Sequence, residues 1–361
     1  MRDLDAPDDF VKLDPQGMLV CIGELPQQCE DGWEQVQDIE LPQEYREIDQ
    51  VVTLGMGGSA IGGDLLRALL IRECPVPIIV HRDYNLPTFV GQRTLVIACS
   101  YSGNTEETLA CFESAVRSRA RVVSITTDGE LERRSRERGL PLLSYHYESQ
   151  PRAALGYSLM FPLGIMQRLG FIRDKSADVA EAVAVMRQWQ PEIKESVPSA
   201  DNPAKSLASR LYQRLPVVYG AEHLSEVARR WKGQFNENSK SWGVFDVLPE
   251  LNHNTVVGYP LPSGLPQVAY VVGLTSKSYH PRVRLRFDIT RELLEQHGFA
   301  WETVEARGRS PLAQVLSTIH FGDYVSYYLA MLYEVDPWSI GSIEFVKARL
   351  TTSEISGFSE A

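Results

Sequence analysis

The sequence predicts an α/β fold with two doubly wound parallel sheets flanked by helices. Three observations lead to this prediction. Apolar segments of strand length alternate with amphipathic segments of helix length along most of the chain. The layout of residues 50–70, a strand, a glycine-containing turn and a helix, returns in residues 214–237. The chain has 361 residues, of which 43% are hydrophobic, so its length and composition favour two packed domains.

Five strands are predicted in the N-terminal half. The first is "QVVTL", which a glycine-rich turn and a helix follow. The others are "PVPIIVHRD", "TLVIACS", "RVVSITT" and "LPLLSYHY". Helical segments separate several of them, which is typical of βαβ units and a parallel sheet.

The sequence of the C-terminal half predicts a second series of strands and helices. Its strands are "RLPVVYGA", "QVAYVVGL", "RVRLRFDI" and "AWETVEA", and the segment "SPLAQVLSTIHFGDYVSYYLAMLYEV" predicts a long amphipathic helix. Between the halves, "PSADNPAKS" is rich in residues that end regular structure. We therefore predict a boundary between residues 175 and 205, with one domain over 1–178 and the other over 200–361.

Composition argues against two classes of partner. The net charge is −11 and no long basic segment occurs, which disfavours a nucleic-acid binder. No uninterrupted apolar run approaches the roughly 20 residues that span a bilayer, and the acidic N-terminus does not resemble a secretory signal. The five cysteines form no CxxC pair, so we expect reduced thiols in a cytoplasmic protein.

Two segments, "GMGGSAIGGD" (55–64) and "SYSGNTEET" (100–108), follow predicted strands. Ligands of parallel sheets bind at such strand ends, where helix N-termini favour anions. The hydroxyls of Ser100, Ser102 and Thr105 add donors without bulk, which predicts a phosphate cradle. The alternative is structural, with a tight turn capped by Ser59 and a multiply capped second helix. A P-loop is excluded because no GK[ST] follows the glycines.

Together the two segments resemble the sugar isomerase (SIS) domain. Three later segments, "WKGQFNENSK", "ELNHNTVVGY" and "VDPWSIGSIEFVKARL", resemble the bifunctional phosphoglucose/phosphomannose isomerases. The resemblance extends from about residue 10 to the C-terminus. It implies two SIS-type domains per chain, a homodimer, and interconversion of aldose and ketose 6-phosphates without a metal or other cofactor.

The resemblance also implies a role for each matching position. Glu237 would be the general base, and Arg152 would oppose the negative charge that develops on the sugar. His253, reaching in from the partner subunit, and Lys347 would assist ring opening. The substrate phosphate would be held by Gly57, Gly58, Ser59, Ser100, Ser102 and Thr105.

The expected reaction is isomerisation of glucose 6-phosphate, with mannose 6-phosphate as a further candidate substrate, to fructose 6-phosphate through an enediolate. Trp338 and Ser339 stand where the resemblance leads us to expect Thr or Pro, so the sequence does not settle the mannose activity. Two alternatives remain open. One is a non-catalytic SIS protein that binds or senses phosphosugars, and the other is a different SIS sugar-phosphate isomerase.

Overall fold

The computed structural model describes residues 3–352, and side chains up to residue 350. The strands are β1 (Gln50–Leu54), β2 (Ile78–His81), β3 (Thr94–Ser100), β4 (Arg121–Thr126), β5 (Leu142–Ser144), β6 (Leu215–Ala221), β7 (Val244–Leu248), β8 (Ala269–Thr275) and β9 (Ala300–Glu305). The helices are α1 (Met18–Gly23), α2 (Leu25–Val36), α3 (Gly57–Leu70), α4 (Glu106–Arg117), α5 (Gly129–Glu137), α6 (Leu155–Arg168), α7 (Ser176–Ile193), α8 (Pro203–Leu211), α9 (Ser225–Glu237), α10 (Leu265–Val268), α11 (Pro281–Gln296), α12 (Pro311–Tyr333) and α13 (Gly341–Thr352). Short 3-10 helices are Pro7–Lys12, Gln43–Arg46, Pro151–Ala153, Glu222–Leu224, Glu250–His253 and Thr255–Gly258.

The N-terminal sheet is parallel throughout, with strand order β2-β1-β3-β4-β5. All five strands predicted for this half are confirmed. The central strand β3 is buried along its whole length, as expected when both faces of a parallel sheet are covered. Leu54 at the end of β1 lies opposite Ala98 of β3, so the loops that follow these two strands are neighbours.

The C-terminal sheet has the order β7-β6-β8-β9 and is also parallel, which repeats the first four positions of the N-terminal sheet. The predicted strands β6, β8 and β9 are confirmed. The short strand β7 was not anticipated. It lies at the sheet edge and is only partly buried, so its sequence "VFDVL" carries no long apolar run.

The prediction of a strand at "RVRLRFDI" is wrong, because these residues lie in α11. Pro281 occupies the first turn of this helix, where its missing N–H costs nothing. Phe287 and Leu294 are buried, whereas Leu285 and Ile289 are exposed. The alternation of apolar and charged residues therefore imitates the period of a strand, while burial follows one face of a helix.

Two buried helices form the centre of the molecule. The long predicted helix α12 is confirmed, but it is buried on every side rather than amphipathic, because α7, α8 and α9 pack around it. Helix α6 packs against α2 and α3. At the crossing of α3 and α6, a Cβ on Gly62 would lie 2.1 Å from the carbonyl oxygen of Ser158, so only glycine permits this approach.

The proposed division into residues 1–178 and 200–361 stays a prediction. Residue 178 lies within α7, which packs against both α2 and α12. Residues 1–2 and 353–361 of these ranges are outside the described part of the chain. Over residues 3–352, the structure contains no helix whose length and apolar character would allow it to cross a membrane.

Candidate active site

The glycine-rich turn joins β1 to α3. Gly57 has a φ of 49°, in the left-handed region that glycine adopts most readily. A Cβ on Gly58 would lie 2.6 Å from the backbone nitrogen of Arg152, so this glycine lets the start of α3 press against the 3-10 helix Pro151–Ala153. The turn therefore sets the distance between the N-terminus of α3 and Arg152.

The hydroxyl-rich loop joins β3 to α4. The hydroxyls of Ser100 and Thr105 are 2.9 Å apart, and Ser59 of α3 accepts a hydrogen bond of 3.1 Å from the backbone N–H of Tyr101. Ser102 is exposed and accepts from the N–H of Asn104 at 3.3 Å. Ser59 thus connects the two loops instead of capping α3, whose N-cap residue is Met56.

These loops lie where the strand order of the sheet reverses. From β1 the chain crosses to β2 on one side, whereas β3 lies on the other side. The N-termini of α3 and α4 both adjoin this point, and their unpaired N–H groups and dipoles favour an anion. The phosphate cradle at Ser100, Ser102 and Thr105 stays a prediction, and these residues lie at this point of the sheet.

A second group of predicted residues meets at the end of α9. Glu237 is the last residue of this helix, and its side chain is 29% exposed. Arg152 is only 1% exposed, and its Nη1 lies 3.4 Å from Oε2 of Glu237. Its Nε donates to Oδ1 of Asn238 at 2.7 Å. The fold therefore brings together Arg152 and Glu237, which are 85 residues apart in the sequence.

Further contacts hold Arg152 in place. Its Nη2 donates to the carbonyl oxygens of Pro337 at 2.6 Å and Trp338 at 3.1 Å. The backbone oxygen of Arg152 accepts from Nη2 of Arg230 at 2.7 Å, and the same nitrogen donates to Asp323 at 2.9 Å. Burial lowers the pKa of Arg152 from its usual value, and the nearby carboxylate of Glu237 acts in the opposite direction.

A cavity of about 590 Å³ lies between the glycine-rich turn and the end of α9. The described residues that line it are Gly57, Gly58, Ile61, Arg82, Arg229, Arg230, Lys232, Gly233, Gln234, Asn236, Glu237, Lys240, Phe245, Ser339, Ile340, Gly341, Ser342 and Ile343. Five of these carry a positive charge and one, Glu237, carries a carboxylate. Three of the cations are paired with carboxylates behind the lining, Arg82 with Asp64, Arg229 with Glu226 and Arg230 with Asp323. Lys232 and Lys240 therefore leave the lining a small excess of positive charge, which favours anions although the whole chain has a net charge of −11.

The predicted site residues all fall within the described part of the chain. Gly57, Gly58 and Glu237 share the wall of the cavity. Ser59 lies in the first turn of α3, Ser100 ends β3, and Ser102 and Thr105 precede α4, and none of these four is among the described residues that line the cavity. Arg152 is buried behind the lining. His253 is exposed at the end of the 3-10 helix Glu250–His253, and Lys347 is exposed on α13 beyond the residues that reach the cavity.

Sequence reasoning missed several residues of the lining. Lys240 is the last residue of the segment "NENSK". Its closeness to Glu237 in the sequence could have identified it as a candidate site residue. Partial burial, with Arg152 as the next cause, lowers its pKa to about 8. Arg82 follows β2 and forms an ion pair with Asp64, and its sequence context offers no comparable signal. Within the described residues, no three His, Cys, Asp or Glu side chains are grouped so that they could hold a metal ion.

Comparison with known proteins shows similarity along nearly the whole chain. The family model described as the bacterial phospho-glucose isomerase C-terminal SIS domain matches residues 200–350. A bifunctional phosphoglucose/phosphomannose isomerase from Caldicellulosiruptor bescii is 40% identical over 92% of this chain and 98% of its own length. Another from Aquifex aeolicus is 38% identical over 83% of this chain and 90% of its own length.

Solved structures support the fold alone. The crystal structure of a hypothetical protein from Thermus thermophilus aligns with a TM-score of 0.74 at 18% identity. The alignment covers 94% of this chain and 91% of that one.

Proposed function

Because the chain belongs to the family of bifunctional phosphoglucose/phosphomannose isomerases, we propose that it isomerises glucose 6-phosphate and mannose 6-phosphate to fructose 6-phosphate. The observation that carries the proposal is the pairing of Glu237 with a cationic cavity at the switch point of a parallel sheet. A carboxylate base beside an anion site is what proton transfer on a sugar phosphate requires. This reaction would assign the enzyme to glycolysis and gluconeogenesis.

The proposed mechanism moves one proton between two carbons. The carboxylate of Glu237 takes the proton from C2 of the open-chain aldose, the C–H electron pair forms the C1–C2 double bond, and the carbonyl electrons move to O1. Return of the proton to C1 and transfer of the O2 proton to O1 produce the ketose. Substrate and product are isomers, so no co-reactant is consumed. Arg152 lies 3.4 Å from Glu237 and supports negative charge at this end of the cavity.

We further propose that the phosphate lies at the other end of the cavity. Gly57 and Gly58 line it there, and Ser59, Ser100, Ser102 and Thr105 supply hydroxyl donors next to two helix N-termini. The phosphate is remote from the reacting carbons, so its binding energy positions the sugar over the base.

Ring opening is proposed to use His253 of the partner subunit together with Lys347. His253 is exposed. Three large apolar side chains that flank it in the sequence are 75–79% exposed: Trp242, Val257 and Leu261. Exposed apolar side chains of this size favour burial against another protein surface, and a second copy of the chain would provide it. We therefore propose a homodimer with shared active sites, acting in the cytoplasm.

The test is turnover by the purified full-length chain. We expect conversion of fructose 6-phosphate to glucose 6-phosphate and to mannose 6-phosphate, and unchanged rates in excess EDTA. Binding of fructose 6-phosphate without turnover would support the regulatory alternative. Turnover only of another sugar phosphate, such as an amino sugar phosphate, would support a different SIS isomerase.

A further inference from the structure

Lys240 adopts a backbone conformation that is uncommon for its residue type. It lies three residues beyond the end of α9, with a φ of 54° in the left-handed region. Glycine or asparagine usually occupies such positions after a helix, because a Cβ is unfavourable there. Four other non-glycine residues of the described chain share this conformation, so what distinguishes Lys240 is the position of its side chain.

The ammonium group of Lys240 folds back over the end of α9. Its Nζ donates to the carbonyl oxygens of Glu237 at 2.8 Å and Asn238 at 3.4 Å. An ammonium has three N–H donors, so these two bonds leave one donor for a ligand. Lys240 is partly exposed and lines the cavity, so a bound sugar phosphate could reach that donor.

Arg152, the other cation beside Glu237, is directed toward protein acceptors. Its guanidinium is buried and makes four contacts, with Asn238, Glu237, Pro337 and Trp338. A guanidinium has five N–H donors, so at most one remains for a substrate. Arg152 therefore can offer the substrate at most one donor, whereas Lys240 lines the cavity directly.

We propose that Lys240 is a further catalytic residue, whose ammonium donates a hydrogen bond to the sugar oxygen that becomes negatively charged in the enediolate. The inference deepens the proposed isomerase function and rests on it. The hydrogen bond strengthens as charge develops on the oxygen, so it stabilises the transition state more than the substrate.

The proposal predicts a dependence on pH, because only the charged ammonium stabilises an oxyanion. The charged groups around Lys240 are Arg152 from the 3-10 helix, Glu237 from α9 and Asp336 from the loop after α12. Partial burial and Arg152 lower the pKa of Lys240 to about 8, while Asp336 and Glu237 act in the opposite direction. We expect kcat/KM to fall as the pH rises through about 8.

The experiment compares full-length Lys240→Met, Lys240→Gln and Lys240→Arg with the wild type, using fructose 6-phosphate. Met and Gln should lower kcat by about 100-fold, the usual effect of removing one donor to a developing oxyanion. Arg keeps the charge and should keep activity within about tenfold while moving the alkaline decline to higher pH. Lys194→Met is the matched control, because Lys194 is also an exposed lysine after a helix, at the end of α7.

The outcomes separate this inference from the function on which it rests. An inactive wild type would overturn the proposed function. An active wild type whose Lys240→Gln variant keeps its kcat would overturn the role of Lys240 alone. A loss of kcat that only follows the unfolded fraction in thermal melts, or an alkaline decline unchanged in Lys240→Arg, would reduce Lys240 to a cap of α9. The proposal is supported if Lys240→Met and Lys240→Gln lose kcat without a change in melting temperature, and if the alkaline decline of Lys240→Arg moves to higher pH.

Discussion

Replacing Glu237 by Gln tests the assignment of the base most directly. The amide matches the carboxylate in shape but cannot accept the C2 proton. Its carbonyl oxygen can still accept the hydrogen bond from Arg152, whose other acceptors, Asn238, Pro337 and Trp338, are unchanged. The loops after β1 and β3, which are proposed to bind the phosphate, are also unchanged.

We expect Glu237→Gln to lower kcat strongly and to change the free energy of unfolding only slightly. Loss of a general base lowers kcat by about 10²- to 10⁴-fold, which corresponds to about 3–5 kcal/mol in the activation free energy. The free energy of unfolding should change by no more than about 1 kcal/mol, because the ion pair is 3.4 Å long and Glu237 is 29% exposed. KM should stay within about threefold, since uniform substrate binding is retained.

The assay couples glucose 6-phosphate formation to a dehydrogenase and follows melting temperature in parallel. Glu192→Gln is the matched control, because Glu192 also pairs with an arginine, Arg307, at 2.9 Å on the surface. The control should retain wild-type kcat. A Glu237→Gln variant that keeps its kcat, or that loses activity only through unfolding, would refute the assignment of Glu237 as the base.

Three further predictions follow from the same structure. Gly58→Ala places a Cβ 2.6 Å from the adjoining backbone, so KM for fructose 6-phosphate should rise and unfolding should require about 1–3 kcal/mol less; unchanged values would contradict the close approach. Mixing inactive Glu237→Gln and His253→Ala chains should restore about one quarter of wild-type activity, because half of the dimers regain one native site, and no recovery would argue against shared sites. The buried His320 donates to the carbonyl of Ile22, and burial lowers its pKa from 6.5 to about 4. The unfolded chain then binds a proton that the folded chain does not bind, so the free energy of unfolding should fall by up to ~3 kcal/mol as the pH drops from about 6.5 to about 4, a component that His320→Gln should lack in denaturant titrations.

The strands of the N-terminal sheet could be predicted because each carries its own local pattern. The segments that become β1, β3 and β4 are apolar runs bounded by turn residues, and the helices after them have an amphipathic period. The same local rule failed for α11, where alternate apolar residues include Leu285 and Ile289 on the exposed face. It also failed for β7, whose half-buried edge position leaves little apolar sequence to detect.

Local sequence patterns thus determined the α/β class, the two strand–turn–helix series and the hydroxyl-rich loop, because backbone preference and hydrophobic period act over a few residues. Tertiary structure alone decided which side chains face one cavity. Arg152 meets Glu237, and Arg82 enters the same lining, only because packed helices and parallel strand order bring distant segments together. Long-range packing has no fixed spacing along the chain, so no local pattern could have indicated that Arg152 is buried and that Arg82 lines the cavity.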